Sequence, residues 1–282
     1  MSVQVPRTLD DALKAIAANP SAQLIQGGTD LMVEINFNHR KPTDVIALRR
    51  VDELKSTQID TKNMQITIGA GLPYQMMERG EIAEHVPALA QAARTVGSPQ
   101  IRSAGTIGGN LGTCSPAGDA LPVLSALDAT VNLQTQKASR TVSIHDFMIG
   151  VKRNARMPGE IIVSTTLPIV SGWQGYAKVG VRNAMVISVA SCCLVVDRIN
   201  GTIAVALGAV GPTIIRCRET ESWLAKQIDL RTNPTMPDNL LQEFGSRVAN
   251  ESKPIDDHRS TAAYRRHAVS TLSRRLLLRA HS

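Results

Sequence analysis

The sequence predicts an α+β protein in two parts. Three observations carry this. Short strand-like runs alternate with helical patterns from Thr8 to Leu167; three β-rich runs follow one another between Trp173 and Val210, joined through Asn200-Gly201; and three helical segments close the chain. At 282 residues the chain is long enough for two domains, because single cores stop growing by ~250–300 residues. Ser171-Gly172 reads as the linker, which divides the chain into 1–170, with subdomains of about 1–55 and 56–170, and 171–282.

Thr8 is placed to cap a helix whose first turn carries Asp10 and Asp11. Leu9, Ala12, Leu13 and Ile16 share one face of it, and Asn19-Pro20 ends it. Ala22 to Ile25 is a short strand, Leu31 to Ile35 an apolar stretch and Asp44 to Leu48 another strand, so the first unit is α/β. Gln65 to Gly71 alternates, with Ile66 and Ile68 on one face, and opens a second unit. Helices follow at Leu72 to Arg79 and Pro87 to Val96, the latter with Pro87 in its first turn and Gly97 at its end. Asp119 to Leu127 is a further helix, and Thr130 to Thr135, Arg140 to Ile144 and Glu160 to Leu167 are strands. Beyond the linker, Trp173 to Val181, Val186 to Asp197 and Thr202 to Val210 form a three-stranded antiparallel meander. Helices then occupy roughly Arg218 to Lys226, Asp238 to Asn250 and Ser260 to Arg279.

Composition narrows the function classes. Aromatic residues make up only 3% of the chain, so Ala, Val, Ile, Leu and Met must fill the core. The net charge of +7 gathers at one end, where Arg259, Arg265, Arg266, Arg274, Arg275 and Arg279 cluster. That cluster reads as a contact for an anionic partner, or as the solvated face or subunit contact of a terminal helix. Without aromatic interleaving or a nucleic-acid motif the second is expected, with no nucleic acid as partner. Cys114, Cys192, Cys193 and Cys217 form no C-x-x-C pair and have no histidine at ligand spacing, so buried reduced thiols are expected and a metal site is not. The chain opens on no signal-peptide pattern and contains no run of ~18 apolar residues. A soluble cytoplasmic protein without membrane insertion is the expectation. The six histidines, His39, His85, His145, His258, His267 and His281, are scattered, and no Ser-His-Asp or Cys-His set forms, so no catalytic residue is assigned. Walker A and G-x-G-x-x-G are both absent; Gly69-Ala70-Gly71 lacks the third glycine.

The most informative stretch is Ala104 to Asp119, AGTIGGNLGTCSPAGD. Gly105, Gly108, Gly109 and Gly112 make a bare backbone that positive φ would let curl, turning consecutive N–H groups into one concavity suited to an anion such as phosphate. Thr106 and Asn110 add a hydroxyl and an amide, and a helix starting near Asp119 would add a partial positive charge. A second such segment, Gln26-Gly27-Gly28-Thr29-Asp30-Leu31, follows the strand at Ala22 to Ile25. Each alone also reads as a plain turn; the pair suits a diphosphate.

Four segments in order, QGGTDL at 26–31, TIGGN at 106–110, SPAGDALPVL containing Asp119, and LGAVGPTIIRCRETE at 207–221, resemble the FAD-binding medium subunit of the molybdenum hydroxylases, the family of xanthine dehydrogenase and carbon monoxide dehydrogenase. The resemblance covers nearly the whole chain. It implies a two-subdomain FAD-binding domain of the vanillyl-alcohol-oxidase (PCMH) type, then the family's C-terminal flavoprotein domain, with FAD held non-covalently. It also implies that Leu24, Ile25, Gln26, Gly27, Gly28, Thr29, Asp30 and Leu31 line the cofactor and that Thr106, Ile107, Gly108, Gly109 and Asn110 hold its second phosphate. Asp119, Ile162 and Lys178 match further contacts, Lys178 near the isoalloxazine. From the residues alone those three also read as a helix cap, a core residue and a solvated strand residue. The implied role is an oxidoreductase's FAD-carrying electron-transfer subunit. Its implied partners are a small iron–sulfur subunit with [2Fe–2S] clusters and a large molybdopterin subunit that oxidises the substrate, assembled as a dimer of heterotrimers. A stand-alone FAD oxidoreductase on the same fold, or a flavin-free scaffold subunit, is the alternative. Two positions depart from the pattern: Val186 stands where relatives often have an acid, and Gln26 stands where many have Ala. The second is expected to be harmless in a loop that works through its backbone.

Overall fold

In the computed structural model, which describes residues 2–282, the chain begins with a strand that the sequence does not signal. Ser2–Gln4 is exposed throughout and pairs in parallel with Asp44–Ala47, whose other neighbour is Gln23–Ile25. Parallel strands need crossovers: the helix Leu9–Ala18 carries the chain from Ser2–Gln4 to Gln23–Ile25 on the far side of the middle strand, and Leu31–Asn36 joins Gln23–Ile25 to Asp44–Ala47. Thr8 caps it as expected, its hydroxyl accepting from Asp11 N at 3.1 Å. Ala12, Leu13 and Ile16 go inward against Ile46, Leu54 and, from far along the chain, Ile161. The apolar stretch after Asp30 is a helix, Leu31–Asn36, with no buried residue. Its hydrophobicity therefore serves no core, and Val33 stays 51% exposed.

The second sheet is antiparallel and five-stranded, in the order Thr57–Asp60, Gln65–Gly69, Ile161–Pro168, Thr130–Gln134, Ser139–Ser143. Ile66 and Ile68 are both fully buried, as their alternation predicts. Between the second and fourth of these strands run six short helices: Tyr74–Met77, Glu81–His85, Pro87–Thr95, Pro99–Ala104, Ile107–Thr113 and Ala120–Ala126. The single helix expected from Leu72 stops after one turn, because Gly80 takes φ +67° and restarts the chain in a new direction.

Gly172–Val179, Ala190–Asp197 and Thr202–Gly208 form the expected antiparallel meander, and the two-residue strand Ile215–Arg216 extends its edge. Alternation sorts the middle strand between two cores. Cys193 and Val195 face the helices of the preceding part, while Cys192, Leu194 and Val196 face the C-terminal helices Arg218–Leu224, Asp238–Glu251 and Ala262–Ala280. Adjacent thiols thus lie on opposite sides of one sheet, and burial raises the pKa of both. Within the basic tail, Arg265 is buried and donates to the carbonyls of Val189 and Ala209 and to Asp257 at 2.7–2.8 Å. Arg266, Arg275 and Arg279 face outward from the same helix. One arginine of the cluster is therefore a structural tie. No helix among the described residues is long and apolar enough to cross a membrane.

The two halves are also joined through Asp128, whose carboxylate meets His145 Nε2 at 2.7 Å and Arg216 Nη1 at 2.9 Å. Burial works against its charge, but the hydrogen bond from His145 and the Arg216 guanidinium outweigh it and hold the carboxyl at about 2, below its ordinary 3.8. A depressed carboxyl stabilises the fold above its unfolded pKa and loses that contribution as pH falls through the folded one. Asp128→Asn is therefore expected to flatten the fall in melting temperature between about pH 4 and pH 2. Parallel melting curves of both proteins across that window check this, and identical slopes would contradict it.

Candidate functional site

The two glycine segments meet. The strand Gln23–Ile25 delivers the first, and Gly28 at φ +71° turns it so that its carbonyl accepts from Met32 N at 3.0 Å and starts the next helix. Gly27 lies against the end of Pro99–Ala104 so closely that a Cβ on it would stand 1.8 Å from the Ala104 carbonyl oxygen. Only glycine allows that approach.

The second segment differs from the curled loop expected. None of Gly105, Gly108, Gly109 and Gly112 takes a left-handed φ. Thr106 instead caps a helix, Ile107–Thr113, accepting from Gly109 N at 3.0 Å. Gly108 N donates to the Ala70 carbonyl at 2.9 Å, and a Cβ on Gly108 would lie 2.5 Å from Ala70 Cβ. Two of the N–H groups expected to face an anion are therefore taken by the chain itself. A Cβ on Gly109, by contrast, would meet only Thr106 Oγ1, at 3.2 Å, and Gly112 meets nothing. Packing of Gly108 on Ala70, just past the end of the strand Gln65–Gly69, overrides the weak helix propensity of glycine, which is why a helix forms where composition suggested a loop.

These segments wall one cleft of about 570 Å³, within the size range of small-molecule sites. Of the residues singled out in the sequence, Leu24 to Leu31, Thr106, Gly108, Gly109, Asn110, Asp119 and Ile162 all line it. Ile107 does not; it is fully buried in the core. Lys178 stands behind the wall, donating to Asp119 Oδ2 at 2.7 Å, Thr95 O at 2.8 Å and Val186 O at 3.1 Å. Those three bonds use all its protons. Asp119 does not cap its helix with its side chain. Its carboxylate accepts from Lys178, from Tyr176 Oη at 2.9 Å and from Ser188 Oγ at 2.6 Å. The two candidates are thus partners in a buried ion pair, which no spacing in the sequence signals. Ile162 is nearly buried and packs on the strand side of the cleft.

At the other end the walls are charged. Lys152 reaches from the turn after Met148–Gly150 to Glu34 at 2.8 Å and to Asp30 at 3.8 Å, and Arg40 pairs with Glu34 at 3.0 Å. The Lys152 hydrogen bond holds the Glu34 carboxyl below its ordinary range despite partial burial. Asp30 also accepts from Thr113 Oγ1 at 3.3 Å, so it ties the first segment to the helix of the second. None of Glu34, Arg40 and Lys152 was singled out in the sequence, because each is a lone charge until the fold brings them together.

Gln26, Tyr74 and Asn110 line this cleft, and each carries a buried polar atom with no hydrogen-bond partner among the described residues: Gln26 Oε1, Tyr74 Oη and Asn110 Oδ1. Buried polar groups are nearly always satisfied, so orphans gathered on one cleft point to a ligand that satisfies them. FAD fits this donor and acceptor set. Its hydroxyls and ring N–H groups suit the two side-chain carbonyl oxygens, and its apolar ring suits Leu24, Ile25 and Ile162. Gln26, which departs from the family pattern, is among the residues that line the cleft and carries one of these orphan atoms.

Residues 1–170 match the family model described as the FAD binding domain in molybdopterin dehydrogenase, and residues 176–280 match that of the CO dehydrogenase flavoprotein C-terminal domain. The chain is 29% identical over 272 residues to a glyceraldehyde dehydrogenase medium chain of Sulfolobus acidocaldarius, covering 94% of this chain and 93% of the other. It is 38% identical over 193 residues to a nicotinate dehydrogenase FAD-subunit of Eubacterium barkeri, covering 65% of this chain and 64% of the other. Among solved structures, quinoline 2-oxidoreductase of Pseudomonas putida 86 superposes with a TM-score of 0.90 over 100% of this chain and 96% of that one, at 21% identity. That likeness concerns the fold.

Proposed function

We propose, from the premise that this chain belongs to the family of FAD-binding subunits of molybdopterin dehydrogenases, that it is the electron-transferring flavoprotein of a multi-subunit oxidoreductase. Its partners in this reading are a small subunit with [2Fe–2S] clusters and a large molybdopterin subunit, assembled as a dimer of heterotrimers in the cytoplasm. Substrate is oxidised on the large subunit, and electrons reach an external acceptor through the FAD held here. The observation that carries the reading is the cleft: two glycine segments in contact, with three unpartnered buried polar atoms on its walls.

When bound, FAD supplies the capacity to accept and release electrons. The protein's part is placement. We assign to the FAD the residues Leu24 to Leu31, Thr106 to Asn110, Asp119, Ile162 and Lys178. Gly109 leaves room on the cleft side of its helix, Gln26 and Asn110 offer acceptor oxygens, and Ile162 offers an apolar surface. Ile107 and Lys178 act in this reading by fixing the wall, the first through the core and the second through Asp119. The division into 1–170, with subdomains of about 1–55 and 56–170, and 171–282 belongs to the same proposal, and the ranges of the two matched family models support it.

Cofactor analysis of the complex purified from its native cells through a tag on this chain tests the assembly. Iron, molybdenum and FAD are expected together, with two further polypeptides. A yellow chain that purifies alone, with neither metal, would contradict it.

A further inference from the structure

We propose that the Tyr74 hydroxyl is a hydrogen-bonding contact to the isoalloxazine ring of the FAD, holding the ring in place and tuning its reduction. This inference rests on the FAD reading above. Tyr74 opens the short helix Tyr74–Met77 and is fixed from both sides of the backbone: its N–H donates to the Gly105 carbonyl at 3.0 Å, and the preceding Pro73 forms an isolated bridge with Thr106. Its ring lies against the second glycine segment, where a Cβ on Gly105 would stand 3.5 Å from Tyr74 Cδ2. The residue is 3% exposed and lines the cleft, and its hydroxyl has no partner. A phenol buried for packing alone is normally satisfied by a neighbour. Here the nearby Asp119 carboxylate takes its hydrogen bonds from Tyr176, Ser188 and Lys178 instead. Burial, with the Asp119 charge adding to it, pushes the phenol pKa up, so the hydroxyl stays protonated and able to donate.

The cleft wall beside Tyr74 selects the part of the ligand it meets. Lys178 draws Thr95 O, Asp119 and Val186 O together; the adjoining Val96, Met185 and Ile187 line the cleft, and the Asp119 at their centre is the carboxylate whose charge acts on the Tyr74 phenol. Tyr74–Met77 packs on the helix Pro99–Ala104, whose Ile101 also lines the cleft. Apolar faces with a few polar groups suit a flat ring with heteroatoms along its edge. The opposite end, with Glu34, Arg40 and Lys152, is charged and does not.

Tyr74→Phe keeps the buried ring and removes only the orphan hydroxyl, which gives the test two opposite signs. Without FAD, the full-length variant is expected to melt at a higher temperature than the wild type, because an unsatisfied buried group is gone. With FAD, its dissociation constant should rise about tenfold, the value of one lost hydrogen bond. The visible flavin band and the midpoint potential should shift as well. Fluorescence titration with FAD, absorption spectra and a potentiometric titration of the same two proteins read these out. A variant that binds FAD as tightly as wild type, with unchanged spectrum and potential, overturns the proposal. Wild-type chain that takes up no FAD overturns the flavin reading itself and this inference with it.

Discussion

Gly109→Val is expected to give a folded chain that no longer retains FAD. A Cβ at Gly109 meets only Thr106 Oγ1, at 3.2 Å, so the cap hydroxyl yields slightly, and because Gly109 lines the cleft the added side chain is expected to take up room there. The helix itself tolerates the change, because valine has a better helix propensity than glycine. Gly108→Val and Gly27→Val lie only a few atoms away yet should behave differently. Their Cβ atoms would meet Ala70 Cβ at 2.5 Å and the Ala104 carbonyl oxygen at 1.8 Å. Overpacking of this kind costs about 1–3 kcal/mol or more, so these two variants should lose flavin by losing the cleft walls and should melt lower. Flavin content per chain after gel filtration, read beside a thermal melt, separates the cases. For Gly109→Val we expect more than a tenfold loss of FAD at a nearly unchanged melting temperature; full flavin content would remove Gly109 from the site.

Lys178→Met should destabilise the fold by about 3–5 kcal/mol, the usual result of leaving one charge of a buried pair alone. Lys178 and Asp119 side chains are each only 8% exposed, and the pair bridges the meander, the helix Pro87–Thr95 and the start of Ala120–Ala126. Adding Asp119→Asn should return part of the loss, since the stranded carboxylate is then neutral and keeps its bonds from Tyr176 and Ser188. Urea unfolding of the two single variants and the double variant gives the coupling directly. If Lys178→Met unfolds like wild type, the pair is not what ties the cleft wall to the C-terminal half.

Several of these relations were visible in the sequence, and others depended on contacts it does not encode locally. The meander announced itself through alternation and Asn200-Gly201, and the first helix through Thr8 and its apolar stripe. Ser2–Gln4 and Ile215–Arg216 have only three and two residues, too few for a period to register. Ile107–Thr113 was obscured by its own glycines, whose purpose is packing on Ala70 as much as room for a ligand. The part of the cleft wall made by the two glycine segments was found from the sequence, because a motif keeps its members adjacent, whereas Glu34, Arg40, Ile101 and Lys152 were not. Tyr74 carries no such mark, and the link between Asp119 and Lys178 spans 59 residues. Only the fold shows that one of these groups is an orphan and the other two are a pair.

The most direct measurement of the central claim is an FAD titration of the purified full-length chain, followed by the quenching of flavin fluorescence. Saturable binding of one FAD per chain, abolished by Gly109→Val, is the predicted result. A wild-type chain that stays colourless and leaves the fluorescence of added FAD unchanged would contradict it.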